Sequence, residues 1–336
     1  MIRVAHLLPN MAVGGRERIV ADLCRTSAQY GIAPLVITFD PADGAALDPH
    51  APIVALNRRD RDFAERLQAI VTAERVDVVH AQGHISAALL PRLNVPVVTT
   101  LHVALGNGWR WLPAIASGLR RSCAITAVSD DLARRFRWVR RPIDVIPSGV
   151  DIDRFACTER STARPFTLGI AARLHPVKRH CDLLAALHLL KRRNRHCRLL
   201  IAGEGPADAE IRARSAGLDV VMLGVVADIP GYLRQLDAFA LPSDHEGTPV
   251  ALIEAMASGL PVVASAVGGV PALVGEAGLL VPRRSPVRLA DAIERLMDSI
   301  DLRRTLGNAA RKRLGGYHLS AQAQAYRTLY DAVSKS

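Results

Sequence analysis

Two doubly wound α/β domains are what this sequence predicts, on three grounds: its length, a strand-then-helix rhythm, and a lapse in that rhythm near the middle. Its 336 residues exceed what one hydrophobic core supports, since cores stop growing near about 250–300 residues. Short apolar runs rich in β-branched residues alternate with stretches whose apolar residues recur at three- and four-residue spacing. Over residues 148–162 the pattern gives way to turn-prone and charged residues, then restarts. Alternation of this kind predicts parallel sheets with helices on both faces.

In chain order, strands are expected at residues 3–8, 35–39, 76–80, 97–101, 125–128 and 144–146, separated by amphipathic helices such as 16–30 and 61–74. These make a first domain over residues 1–150. The second, 163–317, takes strands at 167–171, 197–202, 220–223, 238–241 and 262–264, with a helix after Pro176. A closing helix near 318–334, with aromatic and aliphatic residues at helical spacing, can pack on either domain, crossing back to the first in one case. Two lobes imply a cleft for a ligand.

The composition, 49% hydrophobic and 22% charged, is that of an ordered globular protein and excludes a disordered chain. Cys24, Cys123, Cys157, Cys181 and Cys197 are odd in number, scattered and never spaced as Cys-x-x-Cys. That argues against a disulfide framework or a zinc site and fits a reducing cytoplasm. Residues 2–8 enter a strand without a signal-peptide pattern, so a cytoplasmic location is expected. Residues 255–275 carry no charge over roughly the length of a membrane span. Pro261, Pro271 and the glycines Gly259, Gly268, Gly269 and Gly275 break that stretch into a strand and turns, so no span is expected.

The formal net charge of +11 is concentrated in two segments: 106–142, with eight Arg against two Asp, and 173–198, with eight Lys or Arg against one Asp. A basic surface attracts anionic partners such as phospholipid headgroups, nucleic acid or phosphorylated substrates, or is simply a solvated face. With 4% aromatics and no recognisable binding module, nucleic acid is not expected as a partner.

The segment richest in chemistry lies at residues 242–256. Gly247, Thr248, Pro249 and Val250 read as a loop entering a helix, with Thr248 as cap and Pro249 as first helical residue. The free N–H groups of such a helix start, at the C-terminal edge of a parallel sheet, favour an anion. Glu246 falls on the loop and Glu254 in the helix's second turn, so the two carboxylates can meet hydroxyls on different parts of one elongated ligand. Upstream, Arg173 lies just past a strand and Lys178 in the first turn of the next helix, where the dipole disfavours a cation unless an anion sits between. Without such a ligand, Glu246 and Glu254 are an ordinary loop glutamate and a helix glutamate, and Arg173 and Lys178 two solvated basic residues.

Together with the run Ala-Met-Ala-Ser-Gly-Leu-Pro-Val-Val-Ala at 255–264, this segment resembles the Glu-x7-Glu signature of glycosyltransferase family 4. The resemblance implies a GT-B fold, two Rossmann-like domains facing a cleft, and a retaining transfer from a nucleotide diphosphate sugar, with a UDP-sugar favoured. It implies that Glu246 contacts hydroxyls of the transferred sugar and Glu254 the nucleotide ribose. It implies that Arg173 and Lys178 neutralise the diphosphate, whose charge grows as the glycosidic bond breaks.

In the first domain, Gly14 and Gly15 resemble the family's Gly-Gly loop, where backbone approaches donor phosphate and acceptor, and His102 matches a histidine that hydrogen-bonds the donor sugar. Gly203 and Gly205, in Ala-Gly-Glu-Gly-Pro, are implied near the base. Ser148-Gly-Val-Asp151 is implied at the hinge, with serine where the family usually has asparagine. Asp151 and Asp153, like Asp60 and Asp62, mimic a metal-binding Asp-x-Asp, but no metal and no other cofactor is implied.

Trp109, Trp111, Arg120, Arg121, Arg134, Arg135 and Trp138 interleave aromatic and basic side chains, a mixture that suits an anionic membrane surface or ordinary packing on helix exteriors. The expected acceptor is accordingly a hydroxyl of a lipid-linked or envelope polysaccharide precursor at the inner face of the membrane. A soluble small-molecule acceptor and a catalytically silent partner subunit are the alternatives. A nucleotide-sugar epimerase would not be expected to carry Glu246, Glu254, Arg173 and Lys178 together.

Overall fold

The computed structural model describes residues 1–40, 46–105, 111–156 and 165–335. The chain divides into two compact units, Met1–Val150 with Tyr317–Ser336, and Asp151–Gly316.

The first unit alternates strand and helix: β1 (Ile2–Leu8), α1 (Gly15–Ser27), β2 (Ile32–Thr38), β3 (Ile53–Ala55), α2 (Phe63–Ala73), β4 (Val78–Gln82), α3 (His84–Leu89), β5 (Val97–Leu101), α4 (Leu112–Arg121), β6 (Ala124–Ala127), α5 (Asp130–Arg135) and β7 (Asp144–Val145). All seven strands are parallel, in the order β3-β2-β1-β4-β5-β6-β7. Every residue of β4 and β5 is buried, as befits strands covered on both faces. One apolar cluster joins Leu7, Ile37, Val79 and Leu101 to Leu67 of α2 and Ile115 of α4. A smaller one sets Val20 and Cys24 of α1 against Leu8 and Val36.

The second unit repeats the plan with β8 (Thr167–Ala171), α6 (His180–Arg192), β9 (Arg198–Ala202), α7 (Asp208–Arg214), β10 (Val220–Gly224), α8 (Ile229–Arg234), β11 (Ala238–Leu241), α9 (Val250–Ala257), β12 (Val262–Ser265), α10 (Val270–Val274), β13 (Leu279–Val281), α11 (Pro286–Asp298) and α12 (Ile300–Lys312). Its six parallel strands run β10-β9-β8-β11-β12-β13. The core packs Leu183, Leu187 and Leu190 of α6 with Ile293 and Leu296 of α11 onto Ile170 and Ile201.

The chain then returns to the first unit as α13 (Leu319–Ser334). Val150 N–H donates to Tyr317 O at 2.9 Å, and Leu319 N–H to Val150 O at 2.9 Å. Arg327 donates to the carbonyls of Tyr30 and Gly31 at 2.6 and 3.0 Å, while Tyr326 and Tyr330 are buried.

Two expectations change, and two strands were not anticipated. The strand placed at 76–80 occupies Val78–Gln82, because Val76 N–H still bonds Val71 O at the end of α2. The helix expected over 16–30 ends at Ser27 and passes into a 3-10 turn, Ala28–Tyr30. The edge strands β3 and β13, three residues each, carry no period long enough to read. Among the described residues no helix is long and apolar enough to cross a membrane.

Candidate functional site

In the second unit the chain leaves β8 toward β9 on one side and returns to β11 on the other. Loops following β8 and β11 therefore part at the sheet's C-terminal edge, the crevice where doubly wound folds bind ligands. Arg173, on the loop after β8, is exposed. Gly203 and Gly205, at φ +136 and +156, let the next loop run against it: a Cβ on Gly205 would stand 2.5 Å from Leu174 O, and one on Gly203 would collide with Ala172 O. Leu174 N–H also donates to Glu204 O at 2.9 Å. These glycines thus shape the loop that carries Arg173.

Lys178 closes a 3-10 turn, Pro176–Lys178, instead of lying in the first turn of α6. The difference comes from Arg179, at φ +55, a left-handed kink between the turn and the helix. From there Lys178 Nζ donates to Glu246 Oε1 at 2.7 Å, with 25% and 7% of the two side chains exposed. A lysine turned onto a nearly buried carboxylate brings two of the sequence candidates together. Asp244 N–H donates to Val177 O at 2.8 Å, tying the two loops. Arg284 grips the Asp244 carboxylate at 2.9 and 2.8 Å and holds it below the usual carboxyl range.

Helix α9 begins at Val250, with Pro249 in the capping position and Thr248 before it, one residue later than expected. Glu254 occupies its second turn and is 8% exposed. The backbone at Glu246 and Gly247 is held by the loop after β12: Gly269 N–H donates to Gly247 O at 3.1 Å, and Gly268, at φ +54, lies so close that a Cβ there would overlap Glu246 O. In the sequence Gly268 reads only as a turn breaker.

Two further groups were not singled out by sequence. His180 is 3% exposed, and neither ring nitrogen has a hydrogen-bond partner; Ser243 Oγ is buried and unpartnered too. Burial, with Lys178 adding to it, pushes His180 down to about 4.

In the first unit the equivalent crevice lies between β1 and β4. Gly14 is extended, φ −169, and caps α1; a Cβ there would stand 2.5 Å from Glu17 Oε2, so a larger residue would have to push the Glu17 carboxylate aside. Gly15 is the first residue of α1, and the next, Arg16, pairs with the buried Glu17. His102, just beyond β5, contacts Gln82 Oε1 through Nε2 at 2.8 Å. Burial pushes its ring down to about 3, with the Arg16 charge adding to the effect. His84, whose Nδ1 is buried without a partner, is likewise lowered by burial and then by Arg16. Arg16 was legible only as the neighbour of Gly15, and His84 was not singled out by sequence.

Of the aromatic-basic segment, Trp109 lies outside the described residues. Trp111 is 43% exposed at the start of α4, Arg120 and Arg121 are exposed at its end, and Arg134 and Arg135 are exposed on α5. Trp138 is half-buried, its ring 6.1 Å from that of Phe136, and packs against the first unit's apolar cluster, the packing alternative of the two. Among the described residues no three His, Cys, Asp or Glu side chains group as metal ligands, the Asp60–Asp62 and Asp151–Asp153 pairs included.

Two doubly wound units, each with its switch point at the C-terminal strand ends, are the make-up of GT-B glycosyltransferases. The family model described as "Glycosyltransferase Family 4" matches residues 13–154, and that described as "Glycosyl transferases group 1" matches 165–299. EpsF of Bacillus subtilis (strain 168) is 29% identical over 303 residues, 78% of this chain and 79% of that protein. A GDP-mannose-dependent α-(1-6)-phosphatidylinositol monomannoside mannosyltransferase of Mycobacterium tuberculosis is 33% identical over 237 residues, and the match spans 61% of each. Among solved structures, Anabaena Alr3699/HepE in complex with UDP and glucose superposes with a TM-score of 0.86 at 21% identity, covering 99% of this chain and 100% of that one. The chain belongs to glycosyltransferase family 4, the group 1 glycosyl transferases, and is a transferase of that kind.

Proposed function

We propose that this glycosyltransferase moves a sugar from a UDP-sugar, with retention, to a hydroxyl of a lipid-linked or envelope polysaccharide precursor. The observation that carries the reading is the Lys178–Glu246 pair at the switch point of the second sheet. Lys178 and Arg173 balance the departing diphosphate, the start of α9 adds N–H groups, Glu246 accepts sugar hydroxyls and Glu254 the ribose. Fixed charges of this kind act most strongly where charge develops in the transition state. The leaving phosphate oxygen takes the acceptor's proton, so no side chain serves as general base, and no metal is required. Gly14, Gly15 and His102 belong to the reacting end.

The UDP preference draws support from the UDP-bound structural relative, while the mannosyltransferase relative uses GDP-mannose. Exposed Trp111, Arg120, Arg121, Arg134 and Arg135 favour an acceptor met at an anionic membrane surface. Thermal unfolding with UDP, GDP, ADP and their sugar conjugates, with and without EDTA, tests the donor site. Stabilisation of about 2.7 kcal/mol is expected at a hundredfold excess over Kd, from the uridine series and unchanged by EDTA. A shift with GDP alone reassigns the base, one abolished by EDTA reassigns the metal requirement, and no shift with any nucleotide rejects the site.

A further inference from the structure

Below the C-terminal edge of the first unit's sheet three side chains form a line. His102 Nε2 lies 2.8 Å from Gln82 Oε1, and Gln82 Nε2 lies 3.0 Å from His6 Nδ1. All are buried, at 8%, 1% and 2% exposure. The strand register brings them together. His6 of β1 stands beside His80, and Gln82 of β4 beside Thr100 of β5. Residues two apart share a face, so Gln82 and His102 fall on the side of the sheet that His6 occupies.

A carboxamide accepts at one end and donates at the other, so the two imidazoles it joins must be protonated in opposite senses. Its oxygen requires a ring N–H, and its NH2 requires a bare ring nitrogen. Here the oxygen faces His102 Nε2, which must carry the proton, and the amide nitrogen faces His6 Nδ1, which must not.

We propose that Gln82 is a positioning residue that holds His102 in its Nε2–H tautomer, so that Nδ1 is offered as an acceptor to a hydroxyl of the sugar substrate. The proposal rests on the reading of His102 as a substrate-facing group. A lone pair presented in this way selects a hydroxyl, which can donate, over a phosphate or carbonyl oxygen, which cannot. The ring is neutral at working pH, being pushed down to about 3 by burial and by Arg16, so it has a tautomer to fix. His6, pushed down to about 4 by burial, is neutral too and can receive the amide N–H. The neighbouring His80 is fixed separately, by Tyr330 Oη and Thr100 Oγ1 at 2.6 Å each.

The test is a proton–nitrogen correlation spectrum of the histidine rings in the full chain, wild type and Gln82→Leu. Wild-type His102 is expected to show a protonated Nε2 and a bare Nδ1, and Gln82→Leu a mixture of tautomers. The Leu variant should lose about 10- to 100-fold in kcat, taking the loss seen for outer partners of metal-bound histidines as the scale. Its donor KM should stay within about twofold, as for a transition-state effect. Gln82→Glu, which can only accept, should keep the Nε2–H but raise the ring's basicity, bringing an acid limb into the pH profile of kcat. A wild-type ring protonated at Nδ1 overturns the proposal even if neither variant folds, and so does a ring unchanged in Gln82→Leu. Wild-type turnover by His102→Ala, with the Nε2–H spectrum intact, instead sinks the substrate-facing reading and with it the role given to Nδ1.

Discussion

Replacing Gly268 with alanine probes how Glu246 is held. Gly268 sits at φ +54, and the atom a new β-carbon would meet is the backbone oxygen of Glu246, which no rotamer change can move aside. The left-handed conformation costs a residue with a side chain roughly 1–2 kcal/mol. Forcing a methyl group into filled space adds about 1–3 kcal/mol. Either the loop after β12 or the Glu246–Gly247 backbone must retreat, and the Gly269 N–H bond to Gly247 O is strained with it. Urea denaturation of the Gly268→Ala variant should therefore report a loss of about 2–5 kcal/mol. A displaced Glu246 no longer meets Lys178, so kcat/KM for the donor should fall at least about tenfold, equivalent to 1.4 kcal/mol of transition-state binding. A variant within about 0.5 kcal/mol of wild type, the range of an ordinary surface change, and with unaltered kcat/KM would refute the pinning of Glu246.

Lys178→Ala should lower kcat by about 10²–10³, the cost of one preorganised electrostatic group, and Glu254→Ala should raise the donor's Kd with circular dichroism unchanged; wild-type turnover in both rejects the site assignment. Stability should fall in mild acid. Burial pushes His6 and His180 down to about 4 and His102 to about 3, so the unfolded rings take up protons below about pH 6.5 while the folded ones do not. Each ring's contribution is complete above that pH and is lost toward its folded value, at up to about 1.4 kcal/mol per pH unit. Urea midpoints that stay flat from pH 7.5 to 5 would show that these rings are not buried neutral. Arg120→Glu with Arg134→Glu should weaken co-sedimentation with anionic vesicles by about 1 kcal/mol per basic side chain lost, and equal binding by wild type and variant removes the membrane reading.

The strand-helix rhythm was legible because parallel strands covered on both faces read as apolar runs; the expected strands 97–101, 167–171 and 238–241 coincide with β5, β8 and β11. Register was not legible, since in a run such as Val78–Gln82 every residue is buried and no alternation marks its ends. At the site, residue types announced Lys178 and Glu246 as members of one constellation, but not that they bond to each other, because 68 residues separate them and the kink at Arg179 leaves no signal in its side chain. Gly268 and Gln82 were invisible as site residues for a related reason. One acts through an atom it lacks, the other through a histidine just beyond the adjacent strand.

The return of α13 has a consequence for the order of events in synthesis. Its Tyr330 and Tyr326 hydroxyls bond His80 and Thr100, buried polar groups of the first sheet that have no water to turn to. That sheet emerges from the ribosome early, but its polar seam is closed only after the whole of the second unit has been made. The second unit, contiguous in sequence, can finish folding first. A nascent or truncated chain ending before Tyr317 would leave a half-built first unit, prone to capture by chaperones or to aggregation.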